Sequence, residues 1–148
     1  VRIAFGTDER TAVSDAVVEG LRRRGHEVLV LAQGAPWPEV GRRVGQAVAG
    51  GQADRGVVLC WTGTGVALAA SKVRGVRAAL CVDAPTASGA RRWNDANVLA
   101  LSLRLLSPAL AEEILDAFLA TDPDPGELAL VAAVEEGLEP DGPVLGAS

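Results

Sequence analysis

Apolar runs of strand length alternate five times with helix-period segments along this 148-residue chain. The alternation predicts an α/β protein: a five-stranded parallel sheet with helices on both faces, in a three-layer Rossmann-like arrangement. Residues 57–60 form a run without any charge, as a strand buried on both faces requires. The length is that of one domain, long enough to bury a full core without disulfide or metal staples.

The first strand covers 2–5 and closes at Gly6. Residues 11–24 have helical spacing, with Val13, Val17 and Leu21 repeating every four residues, and Gly25 suits the C-terminal cap. A second strand follows at 27–31. Ala35-Pro36-Trp37-Pro38 reads as a loop, and 39–49 as a helix with Val40, Val44 and Val48 on one face, ended by Gly50-Gly51. The third strand is 56–60 and the third helix 65–73. A fourth strand is expected at 77–82, a fourth helix at 86–93 and a fifth strand at 97–101. Pro108 opens a helix over 108–120, where its missing N–H is harmless. After a break at 121–125 a last helix is expected over 126–138. One domain therefore spans 1–138, with a loose tail over 139–148.

The net charge of −5 disfavours nucleic acid or an anionic membrane surface as the main partner, since both require a basic face. No apolar stretch reaches the ~18 residues of a membrane span. The cysteines, Cys60 and Cys81, sit in apolar runs with no short Cys/His spacing, so neither a disulfide framework nor a structural metal site is expected. Free buried thiols and an opening strand pattern suit a cytoplasmic protein.

In open parallel sheets, ligands bind beyond the carboxyl ends of the strands, where the strand order switches direction. The segments to weigh are thus Thr7-Asp8-Glu9-Arg10, Cys60 to Gly65, Asp83, and Ser102 to Arg104. Trp61-Thr62-Gly63-Thr64-Gly65 joins a buried strand to a helix N-terminus. Its glycines let the backbone approach a ligand and turn N–H groups toward an anion, either a bound phosphate or a reaction oxyanion. It matches neither the dinucleotide glycine pattern nor a Walker motif, and taken alone it is equally a tight turn. Cys60, beside that helix N-terminus, has its thiolate favoured and suits a nucleophile or a proton-abstracting base; the competing reading is an inert core thiol.

Several runs carry a resemblance: Cys60-Trp61-Thr62-Gly63-Thr64-Gly65, Ala69-Ala70-Ser71-Lys72-Val73, Gly75-Val76-Arg77-Ala78-Ala79-Leu80-Cys81, and Asn94-Asp95-Ala96-Asn97-Val98-Leu99-Ala100. With Ile3-Ala4-Phe5-Gly6-Thr7-Asp8 and Ala53-Asp54-Arg55-Gly56, they resemble the ribose-5-phosphate isomerase type B and galactose-6-phosphate isomerase family up to about residue 120. The resemblance implies an aldose–ketose isomerase working through an enediolate, with no cofactor and no metal. It gives Cys60 the proton transfer between C1 and C2 and Thr62 the hydroxyl protons. The backbone of Gly63, Thr64 and Gly65 holds the enediolate oxygen, Asn94 from a partner subunit completes that hole, and Asp8 holds substrate hydroxyls. It also implies a homodimer with composite sites, able to pair into a tetramer, and a small sugar as substrate.

Three departures from the family pattern bear on the substrate. Glu9 stands where the family has a histidine after the Asp. Trp93 stands where it has the ring-opening histidine, and Glu127 and Val131 stand near its two phosphate-binding arginines. The lone histidine, His26, falls in a helix-to-strand turn expected at the far end of the sheet, and no Arg follows Arg104. A carboxylate where a phosphate would sit repels it. The expectation is an isomerase of a small sugar or sugar derivative with altered recognition. Glu9, Arg10 and Arg104 stay in the substrate-binding set, and Trp37 and Trp93, with Trp61, offer an apolar wall. Two alternatives stay open: ordinary ribose 5-phosphate isomerisation with the phosphate on Arg10 and Arg104, and an inactive structural or regulatory paralogue.

Overall fold

A computed structural model describes residues 1–136. Its elements alternate as the sequence predicts: β1 (Arg2–Thr7), α1 (Ala12–Arg23), β2 (Glu27–Gln33), α2 (Trp37–Ala49), β3 (Arg55–Cys60), α3 (Thr64–Ser71), β4 (Ala78–Leu80), α4 (Ala84–Asn94), β5 (Val98–Ser102), α5 (Pro108–Ala120), a 3₁₀ turn (Pro125–Glu127) and α6 (Leu128–Ala133). All neighbouring strands run parallel, in the order β2-β1-β3-β5-β4. The chain leaves β1 toward one edge and returns to place β3 on its other side, so the switch point lies between the carboxyl ends of β1 and β3.

Side-chain alternation divides the core between the two faces of the sheet. Ile3, Phe5, Val57, Leu59, Leu99 and Leu101 pack against α1, α4 and α5. Ala4, Val58, Cys60, Val98 and Ala100 pack against α2 and α3. The second face is made of small residues, and α2 lies close on it. A Cβ on Gly6 would fall 2.8 Å from Val40, and one on Gly56 2.6 Å from Val44. On its other side α2 presents Gly41 and Gly45 to α3, where a Cβ on Gly41 would meet the Ala69 Cβ at 2.5 Å and the Ala70 backbone nitrogen at 2.8 Å. Side chains hold the helix starts on the opposite face. Thr11 and Ser14 form a reciprocal capping box on α1, Asp83 caps α4, and Ser107 caps α5.

Beyond shifts of one or two residues at other ends, three boundaries differ from the expectation. Trp37 and Pro38 are helical rather than loop, because a proline in the first turn forfeits only an N–H that has no intrahelical acceptor. β4 has three residues rather than six; it is an edge strand paired with β5 alone. The last helix begins as a 3₁₀ turn, and its regular part ends at Ala133. The tail expected over 139–148 lies outside the described residues.

The close approach of α2 and α3 predicts that Gly41→Ala destabilises the protein by about 1–3 kcal/mol, since the added methyl has backbone on one side and no room to relax. Urea denaturation measures it, and an unchanged midpoint would show that the helices can move apart freely.

Candidate active site

The carboxyl ends of β1 and β3 frame a cavity of about 350 Å³ walled by Asp8, Trp37, Cys60, Thr62, Thr64 and Leu68, among others. Cys60 is the last residue of β3 and is 5% exposed. Strand alternation turns it toward α2 and α3, away from Cys81, which lies in the core of the other face. Burial, with the Asp83 carboxylate adding, pushes the Cys81 thiol up to about 11. That thiol stays neutral and has no part in the cavity.

The loop after β3 is held from β5. The Leu103 N–H donates to the Cys60 carbonyl at 2.9 Å, and the Arg104 N–H to the Trp61 carbonyl at 3.1 Å. The Ser102 hydroxyl also donates to the Trp61 carbonyl, at 2.9 Å. Gly63 caps α3 with φ +79°, and a Cβ there would lie 2.5 Å from Leu80 and 3.0 Å from the Leu101 carbonyl, so only glycine fits. The first-turn amides of α3, those of Gly65 and Val66, have no carbonyl of their own helix to bond. The Thr62 and Thr64 hydroxyls share a hydrogen bond of 2.8 Å. The Trp37 indole lies against Gly65: a Cβ on Gly65 would meet the ring at 2.9 Å.

Asp8 faces this loop from β1, its N–H donating to the Leu59 carbonyl at 3.1 Å. Its Oδ1 is buried and has no hydrogen-bond partner among the described residues. Burial, with the neighbouring Glu9 carboxylate adding, holds the Asp8 carboxyl above its ordinary value. An unpartnered acceptor beside a thiol suits a ligand hydroxyl.

Asn94 and Trp93 lie elsewhere on the chain. Both line a second cavity, of about 450 Å³, between β4, α4 and α6, together with Arg77, Glu127, Val131 and others. Asn94 is exposed at the end of α4, and the helix stops there because Asp95 takes a left-handed conformation, φ 45°. Asp95 receives Arg91 at 2.9 Å and Arg77 at 3.2 Å. The Asn97 side chain accepts from the Arg77 N–H at 2.8 Å and donates to the Gly75 carbonyl at 2.9 Å. In the Asn94-Asp95-Ala96-Asn97 run, then, Asp95 and Asn97 build the turn and Asn94 is presented outward.

The remaining candidates divide. Glu9 is exposed, and its carbonyl accepts from the Thr7 hydroxyl at 2.6 Å. Arg10, expected at the mouth of the site, instead pairs with Asp15 at 3.0 Å and lines a separate hollow with Glu19 and Arg22. Asp8, two residues earlier, lines the site, but the chain turns into α1 at Thr11 and carries Arg10 away. Arg104 is exposed, with no ion pair among the described residues, and stands on the wall of neither cavity. Asp83 is a helix cap, accepting from the Thr86 N–H at 2.8 Å. His26 is half-buried beside the Val1 amino group, 3.2 Å away, at the opposite end of the sheet. Leu68 was not among the sequence candidates. One helical turn beyond Thr64, its place on the same face of α3 was readable from the period.

The model of the ribose/galactose isomerase family matches residues 3–131 of the chain. The ribose-5-phosphate isomerase B of Escherichia coli is 37% identical over 123 residues, 80% of this chain and 83% of that protein. A D-erythrulose-4-phosphate isomerase of Pectobacterium atrosepticum is 35% identical over 123 residues, 79% of this chain and 81% of its own length. The solved ribose-5-phosphate isomerase B of Clostridium thermocellum superposes with a TM-score of 0.86 at 33% identity, covering 92% of this chain and 96% of that one. A parallel sheet with a thiol and a glycine loop at its switch point, and a family match across nearly all the described residues, lead to one conclusion: the chain belongs to the ribose/galactose isomerase family and is an aldose–ketose isomerase.

Proposed function

We propose that the protein is a cytoplasmic homodimer that isomerises a small sugar or sugar derivative through an enediolate, with recognition of the substrate's far end altered from that of its relatives. The observation that carries the reading is the cavity where the Cys60 thiol, the unpartnered Asp8 oxygen and the N-terminus of α3 meet. In this reaction the Cys60 thiolate takes the proton from the carbon beside the carbonyl and becomes a thiol, leaving an enediolate. The thiol then returns the proton to the neighbouring carbon, and Thr62 passes the hydroxyl proton between the two oxygens. No electrons leave the substrate, so no redox partner enters. The backbone of Gly63, Thr64 and Gly65 stabilises the enediolate oxygen where charge develops. Asp8 accepts a substrate hydroxyl.

Asn94 takes part from the partner subunit. Within one chain it lines a different cavity from Cys60, and the surfaces around both are apolar: Trp61 is 61% exposed, Leu68 61%, Trp93 56% and Leu130 69%. Facing two such half-sites in a dimer would cover these side chains and complete the oxyanion hole. The Asn94 side carries Trp93, Val131 and Glu127 where a phosphate-binding relative needs cations.

Cys60→Ala should lower solvent deuterium exchange into C1 or C2 by roughly a hundredfold or more, while Cys81→Ala leaves it nearly unchanged. Equal losses at both would end the special role of Cys60, and an absence of exchange in the parent protein would point to the inactive paralogue. Light scattering at micromolar concentration should give a dimer; a monomer rules out the composite site. Ribose 5-phosphate should be turned over with kcat/KM roughly a hundredfold below that of the best free tetrose or pentose, the scale of an uncompensated charge contact. Efficient turnover of ribose 5-phosphate that is lost on changing Arg104 would restore the ordinary assignment.

A further inference from the structure

The cavity that presents Asn94 carries charge of one sign only in available form. Arg77, the cation on its wall, is committed: Nη2 lies 3.2 Å from Asp95 Oδ2, and Nε donates to the Asp95 carbonyl at 2.9 Å. Glu127, on the facing wall, has no hydrogen bond or ion pair of its side chain among the described residues. Its backbone is fixed by the turn, the Glu127 N–H donating to the Asp124 carbonyl at 2.9 Å. A second carboxylate stands beside the same wall. Glu135 accepts from the Gly75 N–H at 3.1 Å through Oε1, while Oε2 is buried without a hydrogen-bond partner. A dianion entering here would meet the Glu127 carboxylate and, among the described residues on the wall, no uncommitted cation.

The remaining groups suit the opposite charge. The Trp93 indole is seated on Gly89, where a Cβ would fall 2.7 Å from the ring, so glycine fixes the orientation of the indole. The ring is 56% exposed and borders the cavity. An aromatic face and an unpaired carboxylate on one cavity wall together supply a cation–π surface and a charge-assisted acceptor. A primary ammonium uses both. A hydroxyl uses only the acceptor, and a phosphate is repelled by the carboxylate.

We propose that this cavity binds the ammonium group of an amino sugar or amino polyol, so that the substrate of the composite site is a short sugar bearing an amine away from the reacting carbons. The link to the reaction rests on the isomerase reading above, whereas the cavity belongs to a single chain and can be tested without turnover.

The test compares binding of 1-amino-1-deoxyribitol, ribitol and ribitol 5-phosphate by isothermal titration calorimetry. These probes share a carbon skeleton and lack a carbonyl, so none can react. The full-length protein should bind the amine about tenfold or more tightly than ribitol, and the phosphate ester more weakly than either. Glu127→Gln should abolish the preference for the amine, and Glu127→Arg should invert it toward the phosphate, with circular dichroism confirming that both variants are folded. Cys60→Ala should keep the preference while losing deuterium exchange. Tighter binding of the phosphate ester by the parent protein overturns the proposal, as does an amine preference that survives Glu127→Gln. Exchange on neutral sugars without any amine preference would refute this inference and leave the isomerase intact. Amine binding without exchange on any sugar would do the reverse.

Discussion

The close packing of α2 between the sheet and α3 is the constraint on which the rest of the site depends. On the sheet side Val40 and Val44 settle over Gly6 and Gly56, and on the helix side Gly41 and Gly45 let α3 come within backbone contact. None of these residues could touch a substrate. Yet the lack of side chains at the glycines decides how far α3 can swing inward, and with it where the amides at its N-terminus lie relative to Cys60. The same approach brings Trp37, the first residue of α2, onto Gly65 in the first turn of α3. One wall of the cavity and the N-terminus of α3 beside it are thereby fixed by a single packing event. In a close-packed interior such a displacement cannot be absorbed locally, so a methyl group at Gly41 is felt at the loop.

Two hydrogen-bonded frames stand on that base. In the first, the end of β5 takes up the Cys60 and Trp61 carbonyls, leaving the following segment to turn through Gly63 in the one conformation that avoids Leu80 and Leu101. In the second, Asp95 and Asn97 gather Arg77, Arg91 and the Gly75 carbonyl into the turn between α4 and β5. Each frame consumes its own polar groups and leaves one set free. The first leaves the thiol and the helix amides, and the second leaves Asn94. The two sets face different parts of one chain's surface, which is the geometry a shared site between two copies requires.

The sheet, the order of elements and the reactive loop were legible because each had a strong local signature. The uncharged run to Cys60 followed by alternating glycines can be little else than a buried strand entering a helix. Legibility failed where the answer depends on a neighbour distant in sequence. Prolines at 36 and 38 read as loop punctuation, but both are compatible with a helix start that only the packing of Trp37 on Gly65 selects. Arg10 was assigned to the site by its adjacency to Asp8, whereas the capping box at Thr11 turns the chain and Asp15 takes the guanidinium. The Asn94-Asp95-Ala96-Asn97 run was recognisable as a motif, but its division into one presented residue and two turn builders is visible only once Arg77 is in place. Glu127 was placed by resemblance, and its lack of a partner among the described residues is a property of the folded chain alone.

The two ends of the site are built by different elements, and this separates chemistry from specificity. In the proposed reaction, proton transfer depends on β3, α3 and the glycine contacts of α2, where a change of a single methyl group propagates. In the proposed function, recognition of the substrate's far end depends on α4, the 3₁₀ turn and α6, where exposed Trp93 and half-buried Glu127 and Val131 all stand outside the hydrophobic core. The relatives are named for different phosphorylated sugars, a pentose and a tetrose derivative among them. A fold in which the reacting carbons are always met by the same loop, and the far end by replaceable side chains, accommodates that variation physically. Under the proposed function, Trp93 and Glu127 set an aromatic face and a negative charge at the end where an anion would otherwise be held, while Cys60, Thr62 and the loop glycines serve the enediolate chemistry. Preservation of the reactive loop beside replacement at the far end marks, under that same proposed function, a change of substrate.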